Sequence, residues 1–152
     1  MADPFVVLSY VGGPALLTNA TSVFILSTSN RFARAIDRAR LLAEKPEDER
    51  AKFAFELEIA HARVALMARA IAALYIALTC FALGTAIAIG GAAAAEFITG
   101  NVLIVAFAGA GLLGAIGFAA FVTAAICLVL ESRNAMTAVL READMALASL
   151  KK

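Results

Sequence analysis

Three long segments of the chain carry no charged side chain: residues 4–30, 70–95 and 97–130. A bilayer core about 30 Å thick is crossed by roughly 20 apolar helical residues, and each segment is longer than that. Unpaired backbone groups are too costly in hydrocarbon, so each segment is expected to be helical. The pattern predicts membrane helices at about residues 8–30, 70–95 and 102–130.

The helical pattern continues beyond these segments. Residues 31–44 contain no helix breaker, and Pro46 predicts a turn followed by a helix with an acidic first turn at residues 47–49. Apolar residues then recur at spacings of three and four, leading into the second membrane segment: Phe53, Leu57, Ala60, Val64, Met67 and Ile71. A similar two-heptad seam follows the third: Met136, Leu140, Ala143, Leu147 and Leu150.

These patterns predict an all-α integral membrane protein in which three long helices per subunit extend from the membrane into a cytoplasmic helical stalk. We expect one domain over residues 1–152, with a cytoplasmic helical hairpin at about 31–69 and a tail helix at 131–150. The alternative is that the stalk segments lie flat on the lipid surface as amphipathic helices.

The basic residues indicate the orientation. Of the 13 Lys and Arg residues, nine lie in residues 31–69 and four lie after residue 132. Cytoplasmic loops are enriched in such residues, which predicts an outer N-terminus, an outer loop at residues 96–101, and a cytoplasmic C-terminus in a prokaryotic inner membrane. Because the basic cluster follows the first apolar segment, we expect a retained membrane helix and not a cleaved signal peptide.

The first segment is unusually polar for a membrane helix. Thr18, Ser22 and Ser29 share one helical face, and Asn19 lies near it. Ser and Thr can bond to carbonyls of the preceding turn, whereas Asn19 needs a partner or water. These four residues are candidates for lining a pore. The alternative is interhelical hydrogen bonding inside a bundle.

Five polar residues are predicted to lie at a similar depth, near the inner membrane boundary: Asn30, Arg31, Arg69, Glu131 and Arg133. Glu131 is expected to pair with Arg31 or Arg69 of a neighbouring helix. Such a pair would set the register of the helices or form the inner mouth of a pore, and ordinary anchoring at the lipid surface is the alternative.

Small residues four apart mark faces where helices can approach closely: Ala106, Ala110 and Gly114; Gly111, Ala115 and Ala119; and Gly84, Ala88 and Ala92. This packing can lie within one subunit or between subunits.

The sequence contains no catalytic signature. It has no Gly-rich phosphate loop and no Ser or Cys nucleophile with a basic partner, so we expect neither an enzyme nor a cofactor. Glu58 and His61 have the spacing used in di-iron bundles, but they are the only such pair, and no metal site is expected.

Cys80 and Cys127 suit packing inside membrane helices. The arginines of residues 31–40 suit anionic lipids at the inner surface better than nucleic acid.

The polar first segment, with Gly-Pro-Ala-Leu-Leu at residues 13–17, leads directly into Asn30-Arg31 and then Asp37-Arg38-Ala39-Arg40. This arrangement resembles the bacterial membrane family called domain of unknown function 2721. The resemblance implies a prokaryotic protein with three membrane segments. It also implies that Asn30, Arg31, Asp37, Arg38 and Arg40 matter to the fold or assembly, with Asp37 placed to pair with a stalk residue such as Arg63.

The leading functional hypothesis is a homo-oligomeric ion channel or small-solute pore with the first helix near its axis, because a three-helix subunit encloses little volume alone. The alternative is an accessory or scaffold protein that assembles with other membrane proteins through its stalk and small-residue faces.

Overall fold

The computed structural model describes residues 4–46, 53–94 and 101–150, and all regular structure in these ranges is helical. These ranges contain three helices: α1 (Pro4–Ala43), α2 (Ala54–Ala94) and α3 (Asn101–Leu150). The predicted all-helical, three-helix architecture is confirmed.

The helices end near the predicted punctuation. After Ala43 one further helical bond forms, from the Glu44 amide to the Arg40 carbonyl at 2.9 Å. Pro46 is outside any helix, and α2 opens with a bond from the Leu57 amide to the Phe53 carbonyl at 2.9 Å. The acidic first turn predicted at residues 47–49 lies outside the described residues, as does the predicted outer loop apart from Asn101.

Among the described residues, two helices are long and apolar enough to cross a membrane, α2 and the Asn101–Arg141 part of α3. The most apolar windows of these helices are only 28% and 11% buried within the chain. The core helix of a water-soluble protein would be mostly buried, so most of this apolar surface needs a covering other than the chain itself. Helix α1 does not reach the same apolarity, because its first half carries several Thr, Ser and Asn residues.

The chain divides into two compact units. The first, comprising Met1–Leu26 and Ala72–Thr123, contains segments of all three helices. Within it, the Phe24 and Phe121 rings pack edge to face with centroids 5.4 Å apart. Gly84 of α2 packs against α3, because a Cβ there would lie 3.4 Å from the Ala110 carbonyl oxygen. A Cβ at Gly91 would likewise lie 3.9 Å from the Cβ of Ala106. Two residues of the predicted small-residue face, Ala106 and Ala110, therefore pack against α2 within the chain, whereas a Cβ at Gly114 would meet no atom within 4 Å.

The second unit comprises Ser27–Ile71 and Ala124–Lys152, again with segments of all three helices. Its buried apolar residues include Ala35 and Leu42 of α1, and Met67 of α2. Arg141 of α3 lies over the Phe55 ring of α2, with its guanidinium carbon 3.8 Å from the ring centroid.

A heptad pattern explains which side of each helix is buried. On α2 the buried residues follow one another at spacings of three, four and seven: Ala60, Met67, Ala70, Leu74, Ala77, Phe81, Gly84 and Ala88. On α1 they are Thr21, Ile25, Thr28, Ala35 and Leu42, and on α3 they are Gly117, Ala124 and Glu131. A repeat of three and four keeps one seam of each helix facing its neighbours. On α3 the buried residues are seven apart, so they occupy the same heptad position in successive repeats. Two of them, Gly117 and Ala124, are small, and the third is the carboxylate of Glu131.

Gly117 allows α3 to approach α2 closely, and its replacement by Ala is expected to destabilise the first unit. The added Cβ would lie 2.8 Å from Cε1 of the buried Phe81 and 3.1 Å from the Cβ of Cys80. Gly109→Ala on the same helix is the matched control, because a Cβ there has no atom within 4 Å. We expect Gly117→Ala to unfold more easily than Gly109→Ala by about 1–3 kcal/mol in denaturant titrations of the detergent-solubilised protein. Equal stability of the two variants would refute this close packing.

Candidate functional site: a buried carboxylate between two arginines

Glu131 is the only charged residue that is fully buried in the described part of the chain, with none of its side chain exposed. Its Oε1 accepts a hydrogen bond from Nε of Arg63 at 2.9 Å and forms an ion pair with Nη2 of the same arginine at 2.8 Å. Its Oε2 accepts from Nη2 of Arg31, which also donates to Oγ of Ser132 at 3.2 Å. Each carboxylate oxygen is therefore held by a different helix.

The seam of α3 explains the burial of Glu131. It lies seven residues after Ala124 and fourteen after Gly117, at the inward-facing position of the helix. Arg31 of α1 and Arg63 of α2 reach it with long apolar stems, and their side chains stay 39% and 30% exposed. The arginines thus keep contact with solvent while their guanidinium groups neutralise the carboxylate.

This Arg–Glu–Arg centre is a strong constraint on the arrangement of the helices in the second unit. A buried carboxylate without partners costs several kcal/mol, so alternative packings that separate Glu131 from both arginines are disfavoured. Both Glu131 oxygens are satisfied, and no buried side-chain N or O among the described residues lacks a hydrogen-bond partner. The centre fits a role in specifying register.

The structure brings together only part of the predicted boundary cluster. Arg31 and Glu131 are in contact, whereas Asn30, Arg69 and Arg133 are exposed. Arg69 forms no ion pair among the described residues, so the second partner of Glu131 is Arg63, which the sequence analysis did not assign to this cluster. One signal in the sequence pointed to it: Arg63 lies between Ala60 and Met67 at spacings of three and four, beside the α2 seam.

The predicted stalk pairs also differ from those observed. Arg63 donates to Glu131 and not to Asp37, which is exposed and has no ion pair within the described ranges. Arg38 reaches Glu56 of α2, with 3.4 Å between Nη2 and Oε2, and Arg40 is exposed. The suggested Asp37–Arg63 pair was therefore wrong, because the buried carboxylate engages the same guanidinium.

The polar residues of α1 fall on different sides of the helix. Thr21 and Thr28 are buried, whereas Asn19 and Ser22 are exposed, and Thr18 and Ser29 are half-buried. The Oγ1 of Thr18 donates to the Pro14 carbonyl at 2.8 Å, and the Oγ of Ser22 donates to the Thr18 carbonyl at 3.0 Å. The Asn19 side chain forms no hydrogen bond in the part of the chain that the structure describes. Of the four candidate pore residues, Asn19 therefore has the greatest need of an outside partner.

No group of three or more His, Cys, Asp and Glu residues able to hold a metal occurs within the described ranges. Glu58 and His61 are both exposed on α2. Cys80 and Cys127 are half-buried free thiols. The contacts in the described part of the chain are those of charge pairing and packing.

These features define a class of protein: the described residues form three long helices, two of them long and apolar enough to cross a membrane, and an Arg–Glu–Arg centre made by residues of one chain. The family model described as "Protein of unknown function (DUF2721)" matches residues 12–150, and the chain belongs to this family. The resemblance based on the Asn30-Arg31 and Asp37-Arg38-Ala39-Arg40 motifs is thereby confirmed. No curated protein and no solved structure matches the chain.

Replacing Glu131 by Gln is expected to destabilise the second unit, because the amide keeps the shape of the side chain but leaves two arginines facing a group without charge. Glu56→Gln is the matched control, since Glu56 contacts only the outer end of an exposed arginine at 3.4 Å. We expect a loss of about 3 kcal/mol for Glu131→Gln and at most about 1 kcal/mol for Glu56→Gln, measured by denaturant titration in detergent. A similar small loss in both variants would show that the centre does not control stability.

Proposed function

We propose that the protein is an integral membrane protein that crosses the bilayer three times, with its N-terminus outside and its C-terminus in the cytoplasm. The apolar exposed surfaces of α2 and α3 support two crossings. The third is the first half of α1, which carries no charge between Pro4 and Asn30. The distribution of Lys and Arg supports the orientation. In this arrangement residues 31–69 and 131–150 form a cytoplasmic helical stalk at a prokaryotic inner membrane.

We further propose that copies of the chain assemble into a ring that forms an ion channel or small-solute pore. The observation that carries this proposal is the exposure of Asn19 and Ser22 on the surface of the subunit. Facing lipid, an amide without a partner would cost several kcal/mol. A ring with this face of α1 at its axis gives Asn19 water, and Thr18 and Ser29 extend the polar lining along the same helix.

The tail of α3 supports self-association independently. Met136, Leu140 and Leu147 have the spacing of a coiled-coil seam, yet each is about 60% exposed in the single chain. In the proposed topology this seam lies outside the hydrocarbon, where exposed apolar side chains are unfavourable. The matching seam of a second copy can cover it, and closed rings of identical subunits are a common solution for such surfaces.

Flux measurements on the purified protein in liposomes test the pore. We expect ion or solute flux from the unmodified chain, and a loss of about tenfold or more in Asn19→Leu and Ser22→Leu, because a leucine removes the hydrogen-bonding group and narrows the path.

Thr79→Leu is the matched control for these variants. Thr79 is an exposed polar residue of α2 whose hydroxyl donates only to its own Tyr75 carbonyl, and its replacement is expected to leave flux unchanged. Flux that is absent from the unmodified protein, or that is unaffected in both α1 variants, contradicts the pore.

The second candidate function is that of an accessory or scaffold protein for other membrane proteins. The small-residue face formed by Gly111, Ala115 and Ala119 favours it, because all three residues are exposed and a Cβ at Gly111 would meet no atom within 4 Å. Such a face allows another membrane helix to approach closely.

Isolation in native-like nanodiscs, followed by mass determination, separates the two functions. A closed ring of identical chains supports the pore, and a single chain bound to a larger complex supports the accessory role. For the accessory role we expect Gly111→Leu to release the partner, because the leucine fills the open face. Gly90→Leu, at another open glycine on α2, is expected to retain the partner. Equal retention by both variants would exclude this face as the binding surface.

A further inference from the structure

We propose that a groove between α1 and α2 in the second unit binds the phosphate group of an anionic phosphate ester. The groove has a volume of about 510 Å³, within the range of about 300–1,000 Å³ that ligand sites occupy. It is lined by Arg31, Arg34, Ala35 and Arg38 of α1 and by Arg63 and Met67 of α2.

The spacing of these residues explains how the groove forms. Arg31, Arg34 and Arg38 recur at intervals of three and four, so they lie along one face of α1. Arg63 and Met67 are four apart on α2 and lie on adjacent turns. Two helix faces within one unit thus direct four guanidinium groups toward one volume.

The charges in the groove are unbalanced. Four arginines line the groove. Arg31 and Arg63 share the carboxylate of Glu131, and Arg38 contacts that of Glu56, so the four guanidinium groups contact two carboxylates among the described residues. The Nε of Arg34 donates to the Asn30 carbonyl at 3.3 Å, and its guanidinium contacts no carboxylate in the described ranges. Of the four, Arg34 is thus the one whose replacement removes charge without breaking an ion pair among the described residues. Neighbouring guanidinium groups repel one another, and a bound anion relieves that repulsion.

Glu131 also prepares the groove for a ligand. It holds Arg31 and Arg63 by hydrogen bonds while both line the groove. These side chains are therefore already ordered, and anion binding does not incur the entropy cost of ordering them. Guanidinium groups match the geometry of phosphate oxygens through pairs of N–H donors, which favours phosphate over a simple halide. The buried Met67 and Ala35 give the groove an apolar wall, where charge-assisted bonds are stronger than in water.

Two sources can supply such a phosphate: the headgroup of an anionic phospholipid or a soluble phosphate ester. The lipid source rests on the proposed topology, in which Arg31 lies at the inner membrane boundary at the depth of lipid phosphates. The groove itself is formed only by residues of the second unit and does not depend on the topology. Neither source requires a pore, so phosphate binding can be found or refuted whether or not the protein conducts ions or solutes.

The test uses the purified full-length chain in detergent. Native mass spectrometry measures binding of added phosphatidylglycerol against neutral phosphatidylcholine, and calorimetry measures binding of inorganic phosphate and glycerol 1-phosphate. Arg34→Gln is the informative variant, because Arg34 is exposed and its replacement leaves the Arg–Glu–Arg centre intact. Arg69→Gln is the matched control: it removes the same charge from an exposed site outside the groove lining.

For a lipid ligand we expect phosphatidylglycerol to bind more tightly than phosphatidylcholine, and Arg34→Gln to weaken phosphatidylglycerol binding by about tenfold or more. Arg69→Gln should change it by less than about twofold. For a soluble ligand, glycerol 1-phosphate or inorganic phosphate shows the same dependence on Arg34 and phosphatidylglycerol does not. Equal weakening by both variants, or no binding that depends on Arg34, overturns the proposal.

Discussion

The buried carboxylate of Glu131 constrains the second unit more than any other side chain described. One oxygen is held by α1 through Arg31 and the other by α2 through Arg63, so the two helices are tied to one point of α3. A shift of α3 by one turn would move the carboxylate about 5.4 Å along the helix axis and separate a buried charge from its partners. A helix interface made only of apolar side chains tolerates a one-turn shift far better, because after the shift apolar groups still contact other apolar groups.

The seams themselves follow a different requirement, that of close approach. Inward positions of α3 are filled by Gly117 and Ala124, and the ring of Phe81 occupies the space beside Gly117. Close contact between helices increases dispersion attraction, which is the main source of helix association where lipid surrounds the chain. Small residues therefore allow close contact between helices, and Glu131 disfavours other arrangements of the helices in the second unit.

The sequence predicted the three helices, because uncharged segments and helical periodicity depend only on local order. It predicted only part of the buried face of α2: of the six residues in its apolar stripe, Ala60 and Met67 are buried and the other four are half-buried. It did not predict Arg63 as a partner of Glu131. Which arginine of α2 reaches Glu131 depends on how α2 is rotated about its axis. The order of residues along the chain indicates only their depth relative to the membrane surface, and by depth Arg69 is the expected partner. The polar face of α1 shows the same limit: periodicity places Thr18, Ser22 and Ser29 on one face, but only packing makes Ser22 exposed and the other two half-buried.

The separation of the groups in the Arg–Glu–Arg centre has a consequence for biosynthesis. Arg31 and Glu131 are 100 residues apart in the chain. At synthesis rates of about 5–20 residues per second, the arginine emerges from the ribosome roughly 5–20 s before the carboxylate. The first two helices are completed within that interval, before the carboxylate that joins them has been synthesised. Their final alignment is therefore a late event, completed only when the third helix has been synthesised through Glu131.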